Sequence, residues 1–396
     1  MPRIEFMKKV QQLVAARSAF RCSYPECERI TLGPGPTKSE VSRTGIAAHI
    51  YSASSGGPRG RGDLSPEELS GPGNAIWLCS EHARLVDENR GDHFPPALLF
   101  EYKRLHESRI AREQRGITAP LGWFHRLSVE SGPIFSTPAT LEFGKVTLIT
   151  GNNGTGKTAL WQWAAGIGDE AQLSRWLDTG DSKSPIKVQI TYFDPVTRNV
   201  GFRIEEHQLV QYTLDNKPVP FQPFNIRFIA PKDPREIRNW RRMSDLRRLS
   251  AVFGLSPAVM AKLVEATVPT GEFIQFLCLR RKRKRVRLMI RLRGNNFDLP
   301  LVSLSSSELA LTFIEIATGL ARFSASYMPT ALILDQIATP LDDSILRGVV
   351  ERAASRDVNF QTIIAIPASN SNYDPFAAAG ATVVWLRGKP PAVKIG

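Results

Sequence analysis

Apolar residues along this chain fall into short continuous runs and into runs with helical spacing. Residues 145–150 (KVTLIT) and 331–334 (ALIL) are short apolar runs that predict buried strands, and residues 159–165 (ALWQWAA) predict a helix directly after the first of them. A second apolar helix is predicted over residues 309–317, and residues 1–20 show helical spacing of apolar side chains. Together these elements indicate an α/β chain with a mixed sheet.

The pattern is interrupted at residues 116–122 (GITAPLG), where turn-forming residues follow a helical run. We therefore predict a domain over residues 1–115, a linker over 116–122 and a second domain over 123–396. No stretch of about 18 apolar residues occurs in the sequence, and no apolar signal segment follows its first residues. A cytoplasmic protein with no membrane partner is expected.

Positive charge is concentrated in one insert of the second domain. The formal net charge is +13, and residues 230–295 contain 17 Lys and Arg against 5 Asp and Glu. Within this insert, residues 280–287 (RRKRKRVR) carry seven charges in eight positions and lead into an alternating segment, which predicts a hairpin strand with one cationic face. DNA backbones are the expected partner, and a merely solvated strand face is the alternative. The candidate DNA ligands, called the hairpin arginines, are Arg281, Arg283, Arg285 and Arg287.

A phosphate-binding pattern lies between the first predicted strand and its helix. Residues 151–158 (GNNGTGKT) match G-x-x-x-x-G-K-[ST] in the strand, loop and helix context that this motif requires. Backbone N–H groups of the loop would surround the phosphates of a nucleotide, Lys157 would reach the β- and γ-phosphates, and Thr158 would offer its hydroxyl to Mg²⁺. This phosphate loop consists of Gly151, Asn152, Asn153, Gly154, Thr155, Gly156, Lys157 and Thr158.

Three of the four cysteines lie in the first domain, where their spacing indicates a metal site and not a disulfide framework. Cys22 and Cys27 form one pair, and Cys79 and His82 form a second pair at the start of a predicted helix. Two such pairs supply the ligands of a closed, tetrahedral structural zinc site. We call Cys22, Cys27, Cys79 and His82 the zinc cluster.

Between these pairs, the text AAHI (47–50), GGPR (56–59) and NAIWLC (74–79) resembles one branch of the HNH endonucleases. The resemblance implies a ββα module in which His49 is the general base for phosphodiester hydrolysis and Asn74 orients the imidazole or the loop. Two positions that often hold metal ligands in this family are Ala48 and Ala83, and Asp87 is the best remaining ligand for a catalytic metal ion. A zinc-stabilised module that binds without cutting is the alternative.

Three further segments of the second domain resemble ABC-class ATPase heads. Residues 304–308 (LSSSE) are similar to the ABC signature, in which Ser305 would contact the γ-phosphate held by another subunit; a serine-rich helix cap explains the same text. Asp335 ends an apolar strand, as a Walker B aspartate does, and Leu341-Asp342 fits the D-loop. The text from Asp335 and Gln336 to Asp342 resembles the form found in SMC and RecF-like ATPases.

Binding residues of that family are present, whereas residues of the hydrolytic step are replaced. The usual catalytic glutamate position is Gln336, and Ala338 and Pro367 occupy two other positions that could handle a proton. The compact spacing leaves no room for a long coiled coil. The resemblance implies a homodimer or higher oligomer of ATP-bound heads.

The combined expectation is an ATP-gated, metal-dependent DNA endonuclease that uses ATP, Mg²⁺ and Zn²⁺. Such fusions resemble bacterial anti-phage defence effectors, which implies possible additional defence subunits. Two alternatives remain open: a non-cleaving, ATP-gated DNA clamp that recruits a separate effector, and a DNA-repair ATPase with ordinary turnover.

Overall fold

The structure of the chain is a computed structural model. The structure describes residues 3–25, 27, 29–114, 123–178, 185–193, 197–220, 226–266, 273–282, 285–335, 341–355, 357–368 and 373–396. Two compact units are present: residues 1–118 with 195–197, and residues 119–194 with 198–396. The predicted linker over 116–122 lies outside the described residues. No helix within the described ranges has the length and apolar character needed to cross a membrane.

The first unit is built on a two-stranded hairpin followed by a helix. Its helices are α1 (Lys8–Arg17), α2 (Pro66–Leu69), α3 (Ser80–Leu85) and α4 (Pro96–Glu113), and its strands are β1 (Leu32–Pro34), β2 (Val41–Arg43), β3 (Gly45–His49) and β4 (Ala75–Cys79). Strands β3 and β4 are antiparallel, with His49 opposite Ala75. Because α3 starts directly after β4, these three elements form a ββα motif.

Helix α1 provides the apolar cover of this motif. Its residues Val10 and Val14 pack with Phe6 against Ala75. The helix is shorter than the helical spacing over residues 1–20 predicted, since Met7 is extended (φ −62°, ψ 151°) and the helix begins only at Lys8. Phe6 therefore reaches the core from an extended segment.

The second unit contains three sheets among its described residues. Its strands are β5 (Trp123–Ser131), β6 (Ala139–Glu142), β7 (Val146–Gly151), β8 (Ile186–Phe193), β9 (Thr197–Glu205), β10 (Gln208–Leu214), β11 (Lys217–Val219), β12 (Arg227–Ile229), β13 (Ile274–Lys282), β14 (Arg285–Leu292), β15 (Leu299–Pro300), β16 (Thr330–Asp335), β17 (Gln361–Pro367), β18 (Ala381–Arg387) and β19 (Lys394–Ile395). Its helices are α5 (Lys157–Gly166), α6 (Ser174–Asp178), α7 (Asp245–Phe253), α8 (Pro257–Ala266), α9 (Ser306–Ser324), α10 (Asp343–Ala354) and α11 (Asp374–Ala378).

The central sheet has the strand order β12-β16-β17-β7-β18-β19. Its first five strands are parallel and β19 is antiparallel, so the sheet is mixed as predicted. Strand β7 is buried on both faces: Val146 and Leu148 belong to one apolar core, and Ile149 belongs to the other. Burial on both faces explains why its sequence is a continuous apolar run without alternation.

The other two sheets flank this centre. One has the order β11-β10-β9-β8-β5-β6, and the third is the antiparallel sheet β13-β14-β15. The longest described helix of the second unit is α9, with 19 residues. The expectation of an α/β fold is confirmed, and the described part of the chain contains no long coiled coil.

Candidate nucleotide site, zinc centre and histidine cavity

The phosphate loop connects β7 to α5 and leaves the start of that helix open. Gly154 and Gly156 have φ values of 81° and 91°, a region that side chains beyond glycine rarely adopt. A Cβ at Gly156 would lie 2.7 Å from Cγ2 of Ile134, so this position also lacks room for a side chain. Gly156 is the N-cap of α5 and provides no side-chain cap. The first N–H groups of the helix are thus available to an anion.

Asp335 lies at the end of β16 and is held by two donors from α5. The Thr158 hydroxyl donates to Asp335 Oδ2 at 2.6 Å, and the Trp161 indole donates to the same oxygen at 2.8 Å. Strand β17 lies between β7 and β16 in the sheet. The first residues of α5 therefore reach across β17 to contact Asp335. A hydroxyl and a carboxylate side by side are the hard oxygen ligands that suit Mg²⁺.

Lys157 is positioned over the loop. Its ammonium group donates to the carbonyls of Gly151 (2.6 Å) and Asn152 (3.0 Å). Burial lowers the pKa of Lys157, and the nearby Asp335 carboxylate opposes that shift. The side chain therefore rests on weak neutral acceptors that a phosphate oxygen would replace.

A cavity of about 510 Å³ opens at this edge of the sheet. It lies within the usual range of ligand pockets, about 300–1,000 Å³. Its walls include Asn153, Lys157, Thr158 and Asp335, which the sequence predicted, and Arg175, Trp176 and Arg235, which it did not. Trp161 could have been found from its position three residues after Thr158, because such residues share a helix face.

The remaining predicted ATP residues have different outcomes. Ser305 caps α9: its hydroxyl accepts the Glu308 N–H at 3.3 Å, and Glu308 Oε2 accepts the Ser305 N–H at 2.7 Å. The cap reading of this text is therefore realised in the structure, with Ser305 exposed. Pro367 lines the cavity at the end of β17. Gln336 lies outside the described residues.

The four residues of the zinc cluster meet in the first unit. Their ligand atoms all lie within 4.8 Å of one another. The Cys79 sulfur is 3.2 Å from Nδ1 of His82, and the Cys22 sulfur is 3.7 Å from the same nitrogen. Tetrahedral zinc with Zn–S of about 2.3 Å and Zn–N of about 2.0 Å separates its ligand atoms by roughly 3.5–3.8 Å. The cluster can therefore hold a metal ion.

The surroundings of the cluster suit a structural ion. All three cysteines are buried and none forms a disulfide. Burial raises the pKa of the Cys22 thiol to about 12. A bound metal ion would displace the proton of this thiol. The ring of Tyr24 stacks on His82 with centroids 4.1 Å apart. Four protein ligands leave no position for a substrate.

His49 ends β3 and faces a separate cavity of about 710 Å³, whose lining also includes Glu5, Trp77 and Asp87. The ring of Phe6 stacks on the imidazole, with centroids 3.7 Å apart and planes 12° apart. Nε2 of His49 is buried and has no hydrogen-bond partner in the described part of the chain. Burial is the main cause that lowers the pKa of His49, because it disfavours the charged imidazolium.

Asn74 holds the loop that follows β3. Asn74 is a buried residue, with 2% of its surface exposed. Oδ1 accepts the Tyr51 N–H at 2.7 Å, while Nδ2 donates to the carbonyls of Tyr51 (2.9 Å) and Leu69 (3.0 Å). Of the two predicted roles for Asn74, these bonds match the orientation of the loop.

Arg59, the last residue of the GGPR text, is the chief residue of this site that the sequence did not assign. Its side chain is only 3% exposed. The guanidinium donates to the carbonyls of Ile50 (2.7 Å), Val86 (2.5 Å) and His49 (3.1 Å). It also donates to Asp87 Oδ1 at 2.5 Å. Asp87 is thus already paired with a buried cation.

A second metal site beside His49 is not formed by the residues that the structure describes. Within those residues, the zinc cluster is the one group of three or more Cys, His, Asp or Glu side chains close enough to hold an ion. Among the residues that the structure describes, the carboxylates that line the histidine cavity are those of Glu5 and Asp87. The catalytic roles of His49 and Asp87 stay predictions.

The predicted basic hairpin forms from β13 and β14. Arg280 is paired with Arg287, and Arg281 with Val286. Paired residues share a face and successive residues alternate, so Arg281 and Arg287 lie on opposite faces of the hairpin and do not form one cationic face together. Asp298 binds two other cations of the sheet, Arg280 at 2.6 Å and Arg291 at 2.8 Å. Arg287 is exposed. Arg283 lies outside the described residues, as do the side chains of Arg281 and Arg285.

Comparison with known proteins found several solved structures that are similar to this chain. The SMC head domain from Thermotoga maritima has a TM-score of 0.42 and 17% identity, over 69% of this chain and 98% of that one. RecF bound to ATP has a TM-score of 0.42 and 11% identity, over 70% and 100%. The Smc head domain with an extended coiled coil from Pyrococcus furiosus, bound to the C-terminal domain of ScpA, has a TM-score of 0.45 and 13% identity, over 69% and 96%. No family model and no curated protein matches the chain.

Proposed function

We propose that the second unit is an ABC-class head that binds ATP with Mg²⁺ and hydrolyses it slowly. One observation carries the proposal: Thr158 and Asp335 are in hydrogen-bond contact, at 2.6 Å, in the wall of the cavity that the phosphate loop opens. The loop supplies N–H groups and Lys157 for the phosphates, while Thr158 and Asp335 would hold the ion. Bound Mg²⁺ would neutralise phosphate charge.

Slow hydrolysis follows from the residues around the expected γ-phosphate. A water molecule needs a base or an orienting group, and loss of a general base costs about 10²–10⁴ in rate. Pro367 occupies one such position in the cavity wall and has no side-chain donor or acceptor. Gln336, which stands at the usual position of the catalytic glutamate, carries an amide and cannot act as a carboxylate base. Bound ATP then acts mainly as a clamp that favours a dimer of heads.

DNA is the proposed partner of this ATP-bound state. The support is the exposed Arg287 and the seven charges of residues 280–287, of which 280–282 and 285–287 lie on paired strands. Contacts of this kind attract phosphate backbones without reading sequence. Because Asp298 already binds two neighbouring cations, the hairpin arginines, and not Arg280 or Arg291, are the proposed DNA ligands.

Metal-dependent DNA cleavage is the second candidate function. Its support is the ββα motif with His49, whose Nε2 is buried, at a strand end beside a cavity. Phe6 over the imidazole and Arg59 on Asp87 favour instead a zinc module that binds without cutting. On either reading, additional defence-system subunits remain part of the proposal.

Equilibrium binding of ATP with Mg²⁺ to the full chain tests the principal function. Lys157→Ala should lower ATP affinity by at least tenfold, because it removes a charge-assisted contact to phosphate. The matched control is Lys187→Ala, since Lys187 is half-exposed and pairs with Glu130 at 2.5 Å. ATP binding that is undetectable in the unaltered chain, or equal in both variants, would refute the proposed site.

A further inference from the structure

The nucleotide cavity contains a fixed cation that the motifs do not explain. Arg235 lies in its wall together with Lys157 and Asp335. The side chain of Arg235 is 68% exposed, whereas that of its partner Asp233 is 5% exposed. An arginine that opens to a cavity while its anchor is buried is suited to bind a ligand from solution.

The anchor fixes the plane of the guanidinium. Asp233 Oδ1 accepts from Arg235 Nε at 3.0 Å, and Asp233 Oδ2 accepts from Nε at 2.8 Å and from Nη2 at 2.5 Å. Asp233 Oδ1 also accepts the backbone N–H of Arg235 at 2.8 Å. These bonds leave Nη1 for a further acceptor, and bonding to Asp233 raises the pKa of Arg235. The charge is permanent and its side chain is pre-positioned.

The strand order places this cation at one end of the expected phosphate chain. Along the central sheet, Gly151 of β7 is followed by Pro367 of β17, Asp335 of β16 and then β12. All four strands are parallel, so their carboxyl ends open at the same edge. Arg235 follows β12 and therefore approaches from the side of Asp335, opposite the phosphate loop. The loop holds the β-phosphate, so the group that extends toward Asp335 is the γ-phosphate.

We propose that Arg235, positioned by Asp233, binds the γ-phosphate and makes this site discriminate a nucleoside triphosphate from a diphosphate. This inference rests on the proposed nucleotide site and adds a specificity residue to it. An arginine beside a phosphoryl group offers donors in a planar fork that matches phosphate oxygens. The diphosphate lacks the group that Arg235 would bind, so the residue should affect the two affinities differently.

The test is equilibrium binding of ATP and of ADP, each with Mg²⁺, to the full chain. Arg235→Ala should weaken ATP binding about tenfold or more and leave ADP binding within about twofold. Arg235→Lys should keep part of the ATP preference, because it retains the charge without the fork. The matched control is Arg238→Ala, which removes an exposed arginine three residues away that does not line the cavity.

Equal loss of ATP and ADP affinity in Arg235→Ala would overturn the inference, and so would unchanged affinity for both. The same ATP-selective loss in Arg238→Ala would also overturn it, by assigning the effect to net charge. Folding is checked by thermal unfolding without nucleotide, and Arg235→Lys provides a second variant if Arg235→Ala is unstable. Failure of the unaltered chain to bind either nucleotide would instead refute the proposed function.

Discussion

Arg59→Ala should destabilise the first unit more than any substitution of an exposed arginine there. The change removes a guanidinium whose side chain is 3% exposed and which donates to three backbone carbonyls and to Asp87. Each buried acceptor left without a donor costs about 1 kcal/mol at the low end. Asp87 is 49% exposed, so the loss of its ion pair adds under about 1 kcal/mol. The three carbonyls together give an expected loss of about 3 kcal/mol in local opening free energy.

Backbone hydrogen exchange on peptides from residues 45–87 measures this loss directly, because it reports local opening without requiring the whole chain to unfold. A loss of 3 kcal/mol corresponds to exchange about 100-fold faster. Arg84→Ala is the matched control: Arg84 is 82% exposed and lies 3.8 Å from Glu88, so its removal should cost under about 0.5 kcal/mol. Equal exchange in the two variants would refute the structural role of Arg59.

Three further predictions concern the metal, DNA and cleavage. Elemental analysis should find one zinc per chain and its loss in Cys79→Ser but not in Cys278→Ser, since Cys278 lies outside the zinc cluster; a chain without zinc contradicts this. Changing the hairpin arginines to Ala should weaken DNA binding and reduce the slope of log affinity against log salt by about 0.7–0.9 for each lost phosphate contact, and an unchanged slope would assign them to solubility. If the first unit cuts DNA, nicking of a plasmid with Mg²⁺ or Mn²⁺ should be lost in His49→Ala. It should increase in Phe6→Ala, because the Phe6 ring stacks on the His49 imidazole. Nicking that persists in His49→Ala excludes this histidine as the base.

Local sequence rules predicted the strand and helix that flank the phosphate loop, because such a loop requires these elements as its neighbours in the sequence. The strand before Gly151 and the helix from Lys157 follow from a continuous apolar run and a helical run on either side of glycines. Asp335 was also found, since a strand that ends in aspartate is a local pattern. Its contact with Thr158 joins residues 177 positions apart in sequence. No local pattern predicts that contact, and only the resemblance to ABC-class ATPases implied that both residues hold Mg²⁺.

The residues that the sequence missed act across long separations or from segments without a pattern. Arg59 bonds to Val86 and Asp87, and no spacing rule connects these positions. Phe6 covers His49 from an extended segment that helical spacing placed inside a helix. Arg235 lies in a segment rich in both charge and proline, where charge alone favours a solvated surface. Only the strand order of the sheet brings it to the cavity.

The mass and the turnover rate of the full chain in saturating ATP and Mg²⁺ test the clamp hypothesis most directly. If ATP holds two heads together and Pro367 contributes nothing to hydrolysis, light scattering should find a dimer that persists while turnover stays far below 10 s⁻¹, roughly the median enzyme rate. Lys157→Ala should remain monomeric under the same conditions. A chain that stays monomeric and hydrolyses ATP near 10 s⁻¹ would contradict the account.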